Sequence, residues 1–272
     1  MAHIECNFYS SALKKNTRCI AFIPLTSPDD YLNDVSKNYF ENDTVFQTLY
    51  LLHGSYGYGD DYPLFSNIER YAQEKCLAVI MPSVENSAYI DLPGSSAFAT
   101  YCGKELPEFL RTIFPLSKAR KDTFVAGLSM GGYGALYLSF KNPHQYSCCA
   151  VMSGLADFSA INRMDMNYSK KMPENYKRLL FERGLKENQF NLYRMLEQYK
   201  DTIADLPHFY FTGGQDDPIC KVIPDFAQKL SEKGCSVKNC TSQGKHDWNY
   251  WETHIQDVLN WLPVEGRCVY RQ

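Results

Sequence analysis

The chain has 272 residues, 44% of them hydrophobic and 22% charged, and carries a formal net charge of −3. That length supports one large domain with a core of its own, and the charge leaves no broad electropositive face for a nucleic-acid backbone. No apolar run reaches the length of a membrane span, so neither nucleic acid nor a membrane is an expected partner. The first residues, Met1 to Asn7, show no basic stretch followed by an apolar one. The ten cysteines are scattered, without Cys-x-x-Cys pairs or metal-ligand spacing to a histidine. Free thiols in a reducing cytoplasm are therefore expected, with no metal site.

Two β segments, Ile4 to Tyr9 and Arg18 to Pro24, open the chain around a polar turn at Lys14 to Asn16. After a polar loop, Val45 to Leu52 is an apolar run ending in His53-Gly54, as a strand buried on both faces of a parallel sheet would be. Ile68 to Lys75 reads as a helix, Leu77 to Met81 as a strand stopped by Pro82, and Lys104 to Phe114 as a helix. Thr123 to Ala126 is a strand that runs into Gly127-Leu-Ser129-Met-Gly131, and Tyr133 to Phe140 continues as a helix. Ser147 to Met152 is the next strand. From about Asp157 to Asp205 the alternation breaks into polar helical stretches, which reads as a cap-like insertion over the sheet. It resumes with a strand at His208 to Phe211, a helix within Pro218 to Lys233 ended by Gly234, a strand at Ser236 to Cys240 and a helix at Trp248 to Leu262. Strands alternating with helices predict a single α/β domain over 1–272, its mostly parallel sheet covered on both faces.

Gly127-Leu-Ser129-Met-Gly131 is a Gly-x-Ser-x-Gly pentapeptide between a strand and a helix. A serine on such a sharp turn is presented at a helix N-terminus, and the crowding there admits only very small neighbours. Its hydroxyl needs a base, because it is almost never ionised near neutral pH. Of the histidines that follow, His246 lies in a loop between the last strand and last helix, where a base at the carboxyl edge of the sheet belongs. His144, His208 and His254 fall at a helix end, a strand start and inside an amphipathic helix, and structural roles suit them better. An acid must orient the imidazole. Asp216 and Asp217 both follow a strand in Thr212-Gly-Gly-Gln-Asp-Asp-Pro218; Asp216 is favoured, and Asp217 stays its rival, with capping of the next helix as its alternative role. The backbone N–H of Met130 and that of Ser55, in the loop after His53-Gly54, are the expected oxyanion donors. Tyr56, Tyr58, Tyr89 and Trp248 are candidate aromatic walls of a substrate pocket.

The blocks Leu49-Tyr-Leu-Leu-His-Gly54, Phe124-Val-Ala-Gly-Leu-Ser-Met-Gly-Gly-Tyr-Gly134 and His246-Asp-Trp-Asn-Tyr-Trp251 resemble the esterase D-like group of α/β-hydrolases, most closely its bacterial tributyrin esterase branch. The resemblance covers nearly the whole chain. It implies the α/β-hydrolase fold, a triad of Ser129, Asp216 and His246, oxyanion donation by the amides of Ser55 and Met130, and hydrolysis of short-chain acyl esters without a cofactor. Related branches are S-formylglutathione thioesterases, feruloyl esterases and acyltransferases. The leading expectation is a cytoplasmic serine carboxylesterase acting on a small ester, acetyl or hydroxycinnamoyl. The alternatives are an S-formylglutathione-type thioesterase and a non-catalytic binding protein on the same scaffold. Assembly into a homo-oligomer stays open.

Overall fold

The computed structural model describes residues 1–33, 39, 44–91, 96–156, 190–221, 223–266 and 269–270. Among them, eight strands form one sheet: β1 (Ala2–Ser10), β2 (Lys15–Ile23), β3 (Thr48–Leu52), β4 (Ala78–Pro82), β5 (Thr123–Leu128), β6 (Cys148–Met152), β7 (His208–Gly214) and β8 (Val237–Ser242). Their spatial order is β1-β2-β4-β3-β5-β6-β7-β8. The β1/β2 hairpin is antiparallel and joins β4 antiparallel; every other pairing is parallel. β1 lies on the edge and alternates half-buried with exposed residues, whereas β3 to β6 are buried at every position. That is the difference between a sheet edge wetted on one face and a parallel centre covered on both.

The helices that matter here are α1 (Ile68–Glu74), α2 (Leu106–Ile113), α3 (Met130–Lys141), α4 (Leu192–Glu197), α5 (Ile223–Glu232) and α6 (Trp248–Trp261). Apolar clusters fill both faces of the sheet, one beneath α2, α3 and α5 and the other beneath α1 and α6. α3 is buried from Met130 through Phe140, as an apolar helix wedged between a sheet and a second layer must be.

The apolar run at Val45 to Leu52, expected as one strand, is interrupted. Phe46 N–H donates to Pro115 O at 2.8 Å, and buried Gln47 donates through Nε2 to Asp122 Oδ1 and Pro263 O, both at 3.2 Å. These bonds pull the chain away from the ladder until Thr48. The expected helix at Lys104 to Phe114 starts earlier, at Phe98, and passes through a π turn at Tyr101–Glu105. Leu106 N–H reaches back to Tyr101 O, and Pro107 has no N–H with which to keep the tighter register. Of the insertion expected over 157–205, residues 157–189 lie outside the described residues. The remainder carries α4, which packs on α3, and Tyr133 Oη donates to Phe190 O at 2.7 Å.

Because β3 and β5 to β8 run parallel, their carboxyl ends fall on one rim. With β4 parallel to β3 as well, six loops leave the sheet side by side, after Leu52, Pro82, Leu128, Met152, Gly214 and Ser242.

Candidate active site

Ser129 leaves β5 at φ 53°, ψ −117°, and Met130 begins α3 one residue later. Its N–H donates to Met152 O at 2.9 Å, which ties the turn to the neighbouring strand end. The glycines on either side permit the turn. A Cβ on Gly127 would stand 2.2 Å from Gly131 O, and one on Gly131 would stand 2.2 Å from Leu52 O. A non-glycine residue held in this region costs about 1–3 kcal/mol, and surrounding contacts must impose it.

His246 follows the edge strand β8 and directly precedes α6. Asp247 accepts the Tyr250 N–H at 3.1 Å as the N-cap of that helix, which fixes the chain immediately after the imidazole. His246 Nε2 lies 2.9 Å from Ser129 Oγ, and Nδ1 lies 2.8 Å from Asp217 Oδ2. A carboxylate only accepts, so Nδ1 carries the proton and Nε2 is free to accept from the serine hydroxyl. The ring also meets Trp251 edge to face, with centroids 4.9 Å apart.

The carboxylate bonded to His246 is that of Asp217, not the expected Asp216. Asp217 N–H donates to Gly214 O at 3.0 Å, and this turn swings its side chain inward, where it is fully buried. Asp216 N–H donates to Gly244 O at 2.9 Å, its side chain is exposed, and Gln243 Nε2 donates to its carboxylate. Asp217 also does what its position before Pro218 suggested, since its Oδ1 accepts the Ile219 N–H at 2.9 Å. One oxygen caps the following turn and the other holds the imidazole. Burial pushes the Asp217 carboxyl up, but the His246 hydrogen bond and charge, the Ser153 hydroxyl and the Ile219 N–H outweigh it and leave it below its ordinary value.

The loop after β3 stands against the elbow: a Cβ on Gly54 would lie 3.4 Å from Ser129 Cβ. Buried His53 holds that loop. Its Nδ1–H donates to Gly54 O at 2.7 Å, and its Nε2 accepts the Val84 N–H at 3.0 Å. Burial pushes the His53 pKa down to about 4, so the ring is neutral and this one tautomer satisfies both bonds. Ser55 follows at the half-buried lip. Met130, as the first residue of α3, offers an N–H that has no acceptor within its own helix.

The four aromatic candidates separate, and Tyr58 lies exposed two residues after Tyr56. Tyr56 is exposed on the loop beside Ser55, with its N–H donating to Asn86 Oδ1 at 2.7 Å. Trp248 is half-buried and packs on Phe65, Tyr62 and Trp251 at 5.2, 5.3 and 5.5 Å. It therefore stands one ring away from His246. Tyr89 is not a wall of the pocket, since it is fully buried beneath α3 and its Oη donates to His53 O at 3.0 Å. Phe65, beside Trp248, is 54% exposed.

A second Ser-His-Asp chain lies on the far side of β8. Ser242 Oγ is 2.8 Å from His254 Nε2, and His254 Nδ1 is 2.7 Å from Asp257 Oδ2. Distances alone do not separate the two sets. Ser242 ends an edge strand rather than opening a helix, and the Asp257 side chain is 53% exposed where that of Asp217 is sealed. A solvated carboxylate stabilises an imidazolium far less than a buried one does. Among the described residues, no group of three His, Cys, Asp or Glu side chains is gathered as a metal site, and no helix is long and apolar enough to cross a membrane.

The family model described as Esterase matches residues 31–207, well over half of the chain. The chain belongs to the esterase D-like α/β-hydrolases. It is a carboxylic ester hydrolase. It is 32% identical over 267 residues to an acetyl esterase of Caldicellulosiruptor saccharolyticus, covering 96% of this chain and 98% of that one. Among solved structures it resembles the substrate-bound fluorophosphonate-binding serine hydrolase FphF of Staphylococcus aureus, with 27% identity and a TM-score of 0.82 over 96% of this chain and 98% of that one. It also resembles the S-formylglutathione hydrolase FrmB of the same organism, with 25% identity and a TM-score of 0.80 over the same shares.

Proposed function

We propose that this esterase hydrolyses short-chain acyl esters, acetyl esters foremost, through an acyl-enzyme on Ser129. The observation that carries the reading is the hydrogen-bonded chain from Ser129 through His246 to buried Asp217, set at a strained strand-to-helix turn. In this reading neutral His246 takes the Ser129 proton through Nε2 as Oγ attacks the ester carbonyl. Asp217, ionised and already bonded to Nδ1, stabilises the imidazolium that forms. The N–H groups of Met130 and Ser55 receive the oxyanion of the tetrahedral intermediate, and loss of one such donor slows turnover by about 10²–10³. His246 then returns its proton to the departing alcohol. The alcohol leaves, and a water activated by the same imidazole releases the carboxylic acid. Trp248 and Tyr56 flank the mouth and contact the groups beyond the scissile bond.

The preference for acetyl over other acyl groups is supported by the near full-length likeness to an acetyl esterase. The likeness to FrmB favours a second reading, cleavage of S-formylglutathione, for which the same triad and oxyanion donors serve. A series of p-nitrophenyl esters from acetate to decanoate, with S-formylglutathione and a feruloyl ester assayed alongside, separates these. The expected result is a kcat/KM highest at acetate or butyrate and falling with chain length. A flat profile, no turnover, or S-formylglutathione exceeding every ester would overturn the reading.

A further inference from the structure

Ser153 occupies the same place on β6 that Ser129 occupies on β5. Leu128 and Met152 are register partners, so the two serines follow their strands side by side, and both have left-handed backbones, at φ 53° and φ 50°. Ser153 is fully buried, and its N–H donates to Thr212 O at 2.8 Å. Trp251 Nε1 donates to Ser153 Oγ at 3.1 Å, and the Ser153 hydroxyl is one of the groups that hold the Asp217 carboxyl below its ordinary value. The direction of this chain is fixed by chemistry. An indole N–H only donates, so the hydroxyl proton of Ser153 is not used on Trp251 and is left for an acceptor such as the Asp217 carboxylate. The Cys220 Sγ lies 4.0 Å from the same hydroxyl.

We propose that Ser153 and Trp251 are positioning residues of the esterase: the Trp251 indole N–H orients the Ser153 hydroxyl, that hydroxyl holds the Asp217 carboxylate, and the Trp251 ring packs against His246. This rests on the reading of Ser129, His246 and Asp217 as the triad. One side chain of α6 thus supports both members of the Asp217–His246 pair, the acid through a hydroxyl and the base through ring contact. With donors from Ser153 and Ile219 as well as His246, the carboxylate is held against rotation about its own bond. A left-handed backbone at a buried serine is tolerated because it aims the hydroxyl at the acid.

The titratable groups that face Asp217 from the packed elements are Cys220, in the turn after β7, and Tyr250, on α6. Burial pushes both up, so they stay neutral around neutral pH. Asp216 is turned to Gln243, and Asp247 caps α6.

Three variants test this with p-nitrophenyl acetate: Trp251→Phe keeps the ring and removes the N–H, Ser153→Ala removes the hydroxyl, and Ser153→Gly removes it while accepting φ 50° without strain. Each should lower kcat by about 10–100-fold with KM changed less than about threefold, the scale seen when a reacting group is slightly misplaced. With one donor fewer, the charge on Asp217 is less dispersed and favours the imidazolium. The acid limb of the kcat/KM profile should therefore move to higher pH in the Ser153 variants. Trp251→Phe placed on Ser153→Gly should add little, because the indole N–H acts through the missing hydroxyl. Unchanged kcat and acid limb in Ser153→Gly and Trp251→Phe, with thermal midpoints near that of the parent, would overturn the proposal. So would fully multiplicative losses in the double variant. Ser129→Ala and Asp217→Asn, assayed alongside, keep the two readings apart. Retained activity there would sink the triad itself, whereas their inactivity beside intact Ser153 and Trp251 variants would sink only the positioning role.

Discussion

Asp217 Oδ2 lies 2.8 Å from His246 Nδ1, while the carboxylate one residue earlier points away to Gln243. Neighbouring residues of one turn thus carry different duties. Asparagine at 217 keeps the shape but offers an amide, which favours the wrong tautomer of the imidazole and should lower kcat by about 10³–10⁴. Asp216→Asn, at an exposed site, should stay within about threefold of the parent. Steady-state kinetics on the two variants check this, and the reverse ranking would move the acid back to 216.

Acid should destabilise the fold in two separate windows. His53 is buried and neutral, and its pKa falls from 6.5 to about 4 on folding. Between those values the unfolded chain binds a proton that the folded one refuses, so stability drops as pH falls through that range, by about 3 kcal/mol at the most. Asp217 has the opposite charge type and a lowered pKa. Its contribution is present above the ordinary carboxylate value near 3.8 and is lost only as pH falls below it. Urea unfolding measured from pH 7.5 to 4 should show the first loss in the parent. His53→Gln should be less stable at pH 7 and respond less to pH between 6.5 and 4.

The elbow leaves no room for a methyl group at Gly131, where a Cβ would stand 2.2 Å from the backbone oxygen of Leu52. Gly131→Ala must push β3 and α3 apart or unwind the turn, at a cost of about 1–3 kcal/mol or more. Thermal unfolding should show a midpoint several degrees lower, with activity reduced at temperatures where the variant is still folded.

The strand–helix alternation was legible because the central strands β3 to β6 are short, wholly buried runs, and the order of the strands along the chain places their loops on one rim. The Ser129 elbow and the His246 loop were legible for the same reason: each sits directly between a strand and a helix. The acid was not, because Asp216 and Asp217 share that context, and the choice between them turns on backbone bonds to Gly244 and Gly214 that no local pattern announces. Tyr89 was misread because an aromatic residue shortly after a strand suits a pocket wall and a core site equally well. Only its bond to the His53 carbonyl places it in the core. Ser153 drew no notice, since a lone serine after a strand gives no signal until the indole of Trp251 is seen against it.

The most direct test of the account is the site at which a fluorophosphonate attaches, since the described residues hold two Ser-His-Asp sets with nearly equal distances. Peptide mapping after reaction with one equivalent should find the adduct on Ser129, absent from Ser129→Ala and from His246→Ala, with Ser242 unmodified. An adduct on Ser242, or one that persists at full yield without Ser129, would contradict it.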